Sequence, residues 1–189
     1  YYGMKLTYTS FQRDGKMRNG RYPDSSFGKG ARHQFTDLMV KGGLTYKFNG
    51  RHMINANISY GSEAPLPNEA YVSPRITDRT IDDMKSGRVL SADINYIFST
   101  PHLAGRIGVF QTNFYDQMER SSYYDGIEGT FINHVLYGVN RIHRGIELGA
   151  TYKLDDHWSF DLAGTVGEYY YSNNPDGIKN SENGKIVER

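Results

Sequence analysis

The chain has 189 residues, a formal net charge of +1, no cysteine and a mean hydropathy of -0.65. A near-neutral balance without a polybasic run lacks the concentrated cationic face that phosphate binding needs, which excludes a nucleic-acid protein, and the missing cysteines exclude disulfides and thiolate metal sites. No stretch nears the roughly 18 consecutive apolar residues of a transmembrane helix, but a strand-built span remains open, because alternation hides its hydrophobicity from averaged scales.

Period-2 alternation predicts about seven strands. The first runs near Tyr2 to Phe11, with Tyr2, Met4, Leu6 and Tyr8 on one parity. The second, near Phe35 to Phe48, sets Leu38, Val40, Leu44 and Tyr46 against Asp37, Lys41 and Lys47. The third, near Met53 to Gly61, sets Ile54, Ile58 and Tyr60 against Asn55 and Asn57, and the fourth, near Val89 to Phe98, sets Leu90, Ile94 and Tyr96 against Asp93 and Asn95. In the fifth, near Arg106 to Met118, Ile107 and Val109 compete with Phe110 and Phe114 for the apolar face. The sixth and seventh form the hairpin Arg144 to Tyr171, which turns at Asp155-Asp156-His157, and the sixth begins nearer Phe131 or Val135.

The connections alternate in length. Asn49-Gly50-Arg51-His52, Ser99 to Ala104 and Asp155-Asp156-His157 are short, and Asn-Gly supplies the positive φ of a tight turn. Gln12 to Gln34, Ser62 to Arg88, Glu119 to Thr130 and a polar tail from Ser172 read as long loops. Short turns on one rim and long loops on the other are the pattern of outer-membrane barrels. A strand of about ten residues tilted at about 45° rises on the order of 23 Å, close to the apolar band such barrels show to lipid. Tyr46, Phe48, Tyr96, Phe98, Tyr152 and Trp158 sit beside the short turns, as an interfacial girdle requires. Asp37, Lys41, Asn55, Asn57, Asp93, Asn95, Glu147, Lys153 and Asp161 share the other parity, suited to a wet or plugged lumen.

The expected fold is all-β, an antiparallel up-and-down transmembrane β-barrel. Single-chain bacterial barrels close with an even strand number, so seven strands imply a contiguous segment of a larger barrel. Asn180 to Lys185 reads as the middle of an external loop, and residues 1–189 read as part of one barrel domain.

Arg144-Gly145-Ile146-Glu147-Leu148, with Asp161-Leu162-Ala163-Gly164-Thr165 after the turn, resembles the late-barrel pattern of TonB-dependent outer-membrane receptors, with a Bacteroidetes-like style. Asn113-Phe114-Tyr115-Asp116 before a Tyr-rich loop, and Ala64-Pro65 with Ala70-Tyr71 opening a long loop, resemble it too. The similarity runs from about Leu38 to Pro175. It implies a barrel of about 22 strands in the bacterial outer membrane, embedded in lipid and lipopolysaccharide. It also implies a plug domain that contacts TonB and has no match in this chain, and import of a large scarce ligand such as a ferric siderophore, cobalamin or a glycan. Two alternatives stand beside it: a small closed outer-membrane barrel with a structural or adhesive role, and a soluble all-β carbohydrate-binding module.

Ligand-contact candidates fall in the long loops. Arg18 and Arg21 belong to a basic cluster with Arg13, Lys16, Lys29 and Arg32 that suits an anionic ferric complex, or else a wet loop or lipopolysaccharide phosphates. Tyr123, Tyr124 and Tyr137 suit an aromatic platform, and Tyr169 suits the upper girdle. His134, His143 and His157 lack metal-ligand spacing, and Asn173, Asn174, Asp176 and Asn180 lack the calcium-loop register. Asp82-Asp83 has no nucleophile elbow or phosphate cradle nearby, so neither an enzyme nor a cofactor is expected.

Overall fold

The structure, a computed structural model, describes residues 1–127, 129–181 and 186–188. Among the described residues one antiparallel sheet holds nine strands: β1 (Tyr2–Gly15), β2 (Gly28–Lys47), β3 (His52–Glu63), β4 (Gly87–Ser99), β5 (Leu103–Asp125), β6 (Thr130–Lys153), β7 (Ser159–Tyr171), β8 (Asp176–Ser181) and β9 (Ile186–Glu188). One helical turn, α1 (Pro67–Ala70), interrupts the β3–β4 connection. Each strand up to β7 pairs with its sequence neighbour. Among the described residues β1 does not pair with β9, so the sheet stays open.

The expected strands occur in the expected order, but three loops are shorter than their composition suggested. Pairing of β1 with β2 continues to Gly15 and Gly28, and β5 and β6 run together to Asp125 and Thr130, so Glu119 to Thr130 is mostly paired strand. The polar tail is likewise not loop. β8 continues the line of β7 and pairs with the upper part of β6, Ile132 to Tyr137, and with β9. Residues 182–185 of the expected external loop lie outside the described residues.

One face of the wall carries the apolar parity, and it is exposed from edge to edge: Leu6 69%, Leu44 72%, Ile94 54%, Leu148 44%, Val166 80%. An exposed apolar expanse of this extent marks contact with another phase, and its partner on a sheet of this length is lipid. Ile107 and Val109 stand opposite Tyr96 and Ile94, which places them on that outer face and Phe110 and Phe114 on the inner one.

The inner face is a polar ladder across strands. The Asn57 amide donates to Asn55 Oδ1 (2.7 Å) and Asp93 Oδ2 (2.8 Å), and Asn95 donates to the same Asp93 oxygen (2.6 Å). Arg106 pairs with Glu147 at 3.1 Å, and Thr151 donates to Asp161 at 2.6 Å. Glycines make room on this face: a Cβ at Gly108 would collide with Asn95, and one at Gly145 would meet the backbone of Val166 and the ring of Phe110.

The girdle beside the short turns is present as ring contacts, Tyr46 on Phe48 at 5.1 Å and Tyr96 on Phe98 at 6.0 Å. Tyr169 departs from its expected place in the upper girdle. It shares parity with Asp161 and packs on the inner-face ring of His143 at 5.0 Å, while its neighbour Tyr170 takes the outward position beside Arg144. Strict alternation decides between adjacent tyrosines that composition treats alike.

β6 has 24 residues, which at the same tilt climbs on the order of 56 Å and so stands about 30 Å clear of an apolar band of about 25 Å. Two bulges mark where the wall ends. Asp116 (φ 56) and Gly138 (φ 65) take left-handed conformations at the register shifts between Phe114 and Glu119. Asn140 and Asn173 stitch the break: the Asp116 N–H donates to Asn140 Oδ1 (3.0 Å), the Asn140 N–H to Asn173 Oδ1 (2.9 Å), and Asn173 Nδ2 to the Gly138 carbonyl (2.8 Å). The asparagine in the calcium-like tail therefore closes a bulge.

Candidate functional site

Above the bulges the chain builds a core of the ordinary kind. Val72, Ile81, Met118, Val135 and Ile178 are buried together, with Met84 and Tyr137 against them. The β3–β4 loop crosses from the inner face of β1–β2, where Tyr71 stacks edge-on against Phe11 (6.1 Å) and His33 (5.9 Å), to β5, β6 and β8. Arg13, one member of the basic loop cluster, holds this crossing: its Nε donates to the Pro74 carbonyl (2.7 Å) and its Nη1 to the Ser26 carbonyl (3.0 Å). That guanidinium is committed to structure.

A chain of side-chain hydrogen bonds then links the loops to the hairpin. The Ser122 hydroxyl donates to Asn133 Oδ1, the Asn133 amide donates to Ser73 Oγ (2.8 Å), and Asn180 donates to the same Oγ (3.2 Å). Tyr22, from the β1–β2 loop, donates to Asn180 Oδ1 (3.2 Å). Ser73, Asn133 and Asn180 are all buried, so each polar contact is held in a low-dielectric setting where losing it is costly.

Beside this chain of bonds opens a cleft of about 250 Å³ lined by Arg75, Arg120, Ser122, Asn133 and Phe131. Arg75 and Arg120, two cationic residues, share this lining with a hydroxyl, an amide and a ring, a combination suited to a carboxylate, phosphate or other oxyanion. Tyr124 packs edge-on against Phe131 at 5.4 Å and so lies at the rim of this cleft, while Tyr123, opposite Ile132, is exposed on the other face of the hairpin.

The other candidates fall elsewhere. Arg18 covers the ring of Phe27 within its own loop (5.5 Å), and the backbone N–H of Arg21 donates to Asn19 Oδ1 (2.9 Å). Tyr137 is half-buried against the core. Arg75 and Arg120 went unmarked in the sequence because neither has a charged neighbour of the same sign, and only the folded loop sets them together.

Acidic groups near the cleft respond to their surroundings. Burial raises the Glu69 pKa, the neighbouring Glu119 carboxylate raises it further, and Arg120 and Arg141 oppose both. At the bulge, Asp116 is held below the usual carboxylate range by its hydrogen bond to Lys85, then by Arg88, against the opposing effect of burial. The two cations sit 2.9 and 2.6 Å away.

An open sheet with apolar residues outside, a polar ladder inside and a packed cap on the long-loop rim describes a membrane barrel wall. A family model described as TonB dependent receptor-like, beta-barrel matches residues 5–188. The chain belongs to the TonB-dependent receptor barrel family. No curated protein and no solved structure matches it. The match extends past the stretch on which the sequence resemblance rested, at both ends. TonB-dependent receptors are outer-membrane receptors and transporters, not an enzyme family, and they work with TonB and a ligand.

Proposed function

We propose that this TonB-dependent receptor segment forms an arc of the barrel wall and part of the extracellular mouth of an importer in the bacterial outer membrane, with residues 1–189 all in one barrel domain. The short turns face the periplasm and the cap faces outward. Lipid and lipopolysaccharide cover the outer face, and a plug domain that engages TonB occupies the space beside the polar ladder. The ligand class we infer is a bulky anion of the ferric siderophore type. The observation that carries this is that Arg75 and Arg120 line one cleft on the long-loop rim.

A neutral glycan is the second reading, favoured by the exposed ring of Tyr124 at the same rim. Uptake and binding by the full-length receptor separate the two, with a panel of anionic ferric chelates and neutral oligosaccharides as probes. The anion reading expects Arg75→Ala with Arg120→Ala to weaken chelate binding at least tenfold, with steeper losses at high salt. Binding of an oligosaccharide that is lost in Tyr124→Ala and indifferent to both arginines overturns it. Arg18→Ala and Arg21→Ala are expected to change only the salt dependence of capture.

A further inference from the structure

Asp37 is the least comfortable residue in the wall. It lies on the inner parity of β2 opposite Thr7 of β1, is only 3% exposed, and neither carboxylate oxygen has a hydrogen-bond partner. A carboxylate taken out of water and left unpaired is strongly unfavourable unless a cation or several donors meet it. Other inner-face acids are met: Asp93 accepts from Asn57 and Asn95, Glu147 pairs with Arg106, and Asp161 accepts from Thr151.

Asp37 lines a cavity of about 180 Å³. Thr7 and Thr9 line it from β1, and Met39 from β2. The segment Ala64-Pro65-Leu66-Pro67 closes it over the top, and Glu63 adds a second carboxylate. Lys5 lines the same cavity, yet makes no ion pair with Asp37 within 4.0 Å. The lining therefore divides by chemistry into carboxylate and hydroxyl groups and a thioether, two prolines and a leucine.

A bare metal ion fits that division poorly. Among the described residues no three His, Asp or Glu side chains group as metal ligands, and half of the lining offers no oxygen. An ammonium or guanidinium on an alkyl stem fits both halves. Its N–H donors meet the Asp37 oxygens and the threonine hydroxyls, and its methylenes lie against Met39, Pro65 and Leu66.

We propose that the Asp37 cavity is a binding slot for an alkylammonium or alkylguanidinium group. The group comes either from a free amine-bearing ligand inside the barrel or from a Lys or Arg of another segment of the same receptor lying against the wall. The inference stands apart from the Arg75–Arg120 reading, since it concerns another cavity and the opposite charge. The Ala64-Pro65 motif then acts as the lid of the slot, which accounts for two prolines where the strand ends.

The test uses the full-length receptor in detergent, with n-butylguanidinium and n-butylammonium as probes, neutral n-butanol as control, and crystal structures with and without probe. Saturable binding of the cations but not the alcohol, weakened at least tenfold by Asp37→Asn and several-fold by Thr9→Val, supports the slot with a free ligand as its source. Absence of probe binding together with a Lys or Arg from outside residues 1–189 seated on Asp37 supports the slot with the receptor as its source. Lys5→Met is expected to preserve or strengthen occupancy in both cases. Lys5 itself, or water alone, on the Asp37 carboxylate with no probe binding overturns the proposal, as does probe binding unchanged in both Asp37→Asn and Thr9→Val.

Discussion

Leu148 and Ile132 lie on one strand, β6, sixteen positions apart, and live in opposite worlds. Leu148 is 44% exposed on the apolar face of the wall, opposite Ile107 and Gly164, with polar side chains behind it. Ile132 is 1% exposed on the upper part of β6, opposite Tyr123 and beside Asn133. The wall puts most of its apolar side chains outward and most of its charges inward, as lipid demands, while the cap buries its apolar side chains, as water demands. The change falls at the bulges of Asp116 and Gly138, where register shifts release the strands from the parity that lipid imposes. A single hairpin thus passes from one solvent to another without breaking its backbone ladder.

The largest expected effect that separates the two regions comes from charge at the middle of the wall. Leu148→Arg should destabilise the refolded receptor in vesicles by about 2–4 kcal/mol, read from urea unfolding, because guanidinium at mid-bilayer depth has no aqueous partner. The same substitution at the exposed Tyr124 in the cap should leave the unfolding midpoint in place, and equal losses at both positions would break the comparison.

Next comes the buried hydrogen-bond chain of the cap. Asn133→Leu removes the acceptor of the Ser122 hydroxyl and one of the two donors to Ser73 Oγ, which should cost about 1–3 kcal/mol of local stability. Limited proteolysis within residues 64–86 should accelerate, while the barrel keeps its native electrophoretic mobility without boiling. Loss of the whole barrel would instead mean that cap and wall fold as one unit.

Asp116 offers a pH test at the boundary itself. Its folded pKa lies below the ordinary carboxylate value, so the stabilisation it brings is complete above that value and is lost as pH falls through the depressed one. Proteolysis near Lys85 should therefore rise on acidification in the wild type. Asp116→Asn should show the raised rate already at neutral pH and little further acid dependence.

The smallest effect is expected at the Arg144–Glu168 pair on the outer face, 2.7 Å apart and about half exposed. Arg144→Ala should change stability by less than about 1 kcal/mol, checked by the same urea titration.

Much of the wall was legible because lipid writes a period of two into the chain. Tyr2-Met4-Leu6-Tyr8 and Ile146-Leu148-Ala150-Tyr152 declare their face without any knowledge of their neighbours, and the short turns and their aromatics set the lower rim. The cap was not legible in this way. Above the bulges a strand such as Asp176–Ser181 has protein on one side and water or loops on the other, so nothing enforces alternation and its polar residues read as loop. The candidate site suffered most. Tyr124 was visible as an exposed aromatic, but Arg75 and Arg120 meet only because the loop crosses the inner face to reach β5 and β6.

The sequence by itself therefore determined the order of the first seven strands, the two faces and the short-turn rim, which follow from local alternation and turn chemistry, and its motifs carried the family resemblance. Tertiary structure alone decided the height of the β5–β6 hairpin, the cap core, the arginine cleft and the isolation of Asp37. Each of these depends on residues far apart in the chain being brought together, and long-range contact leaves no periodic trace in a single sequence.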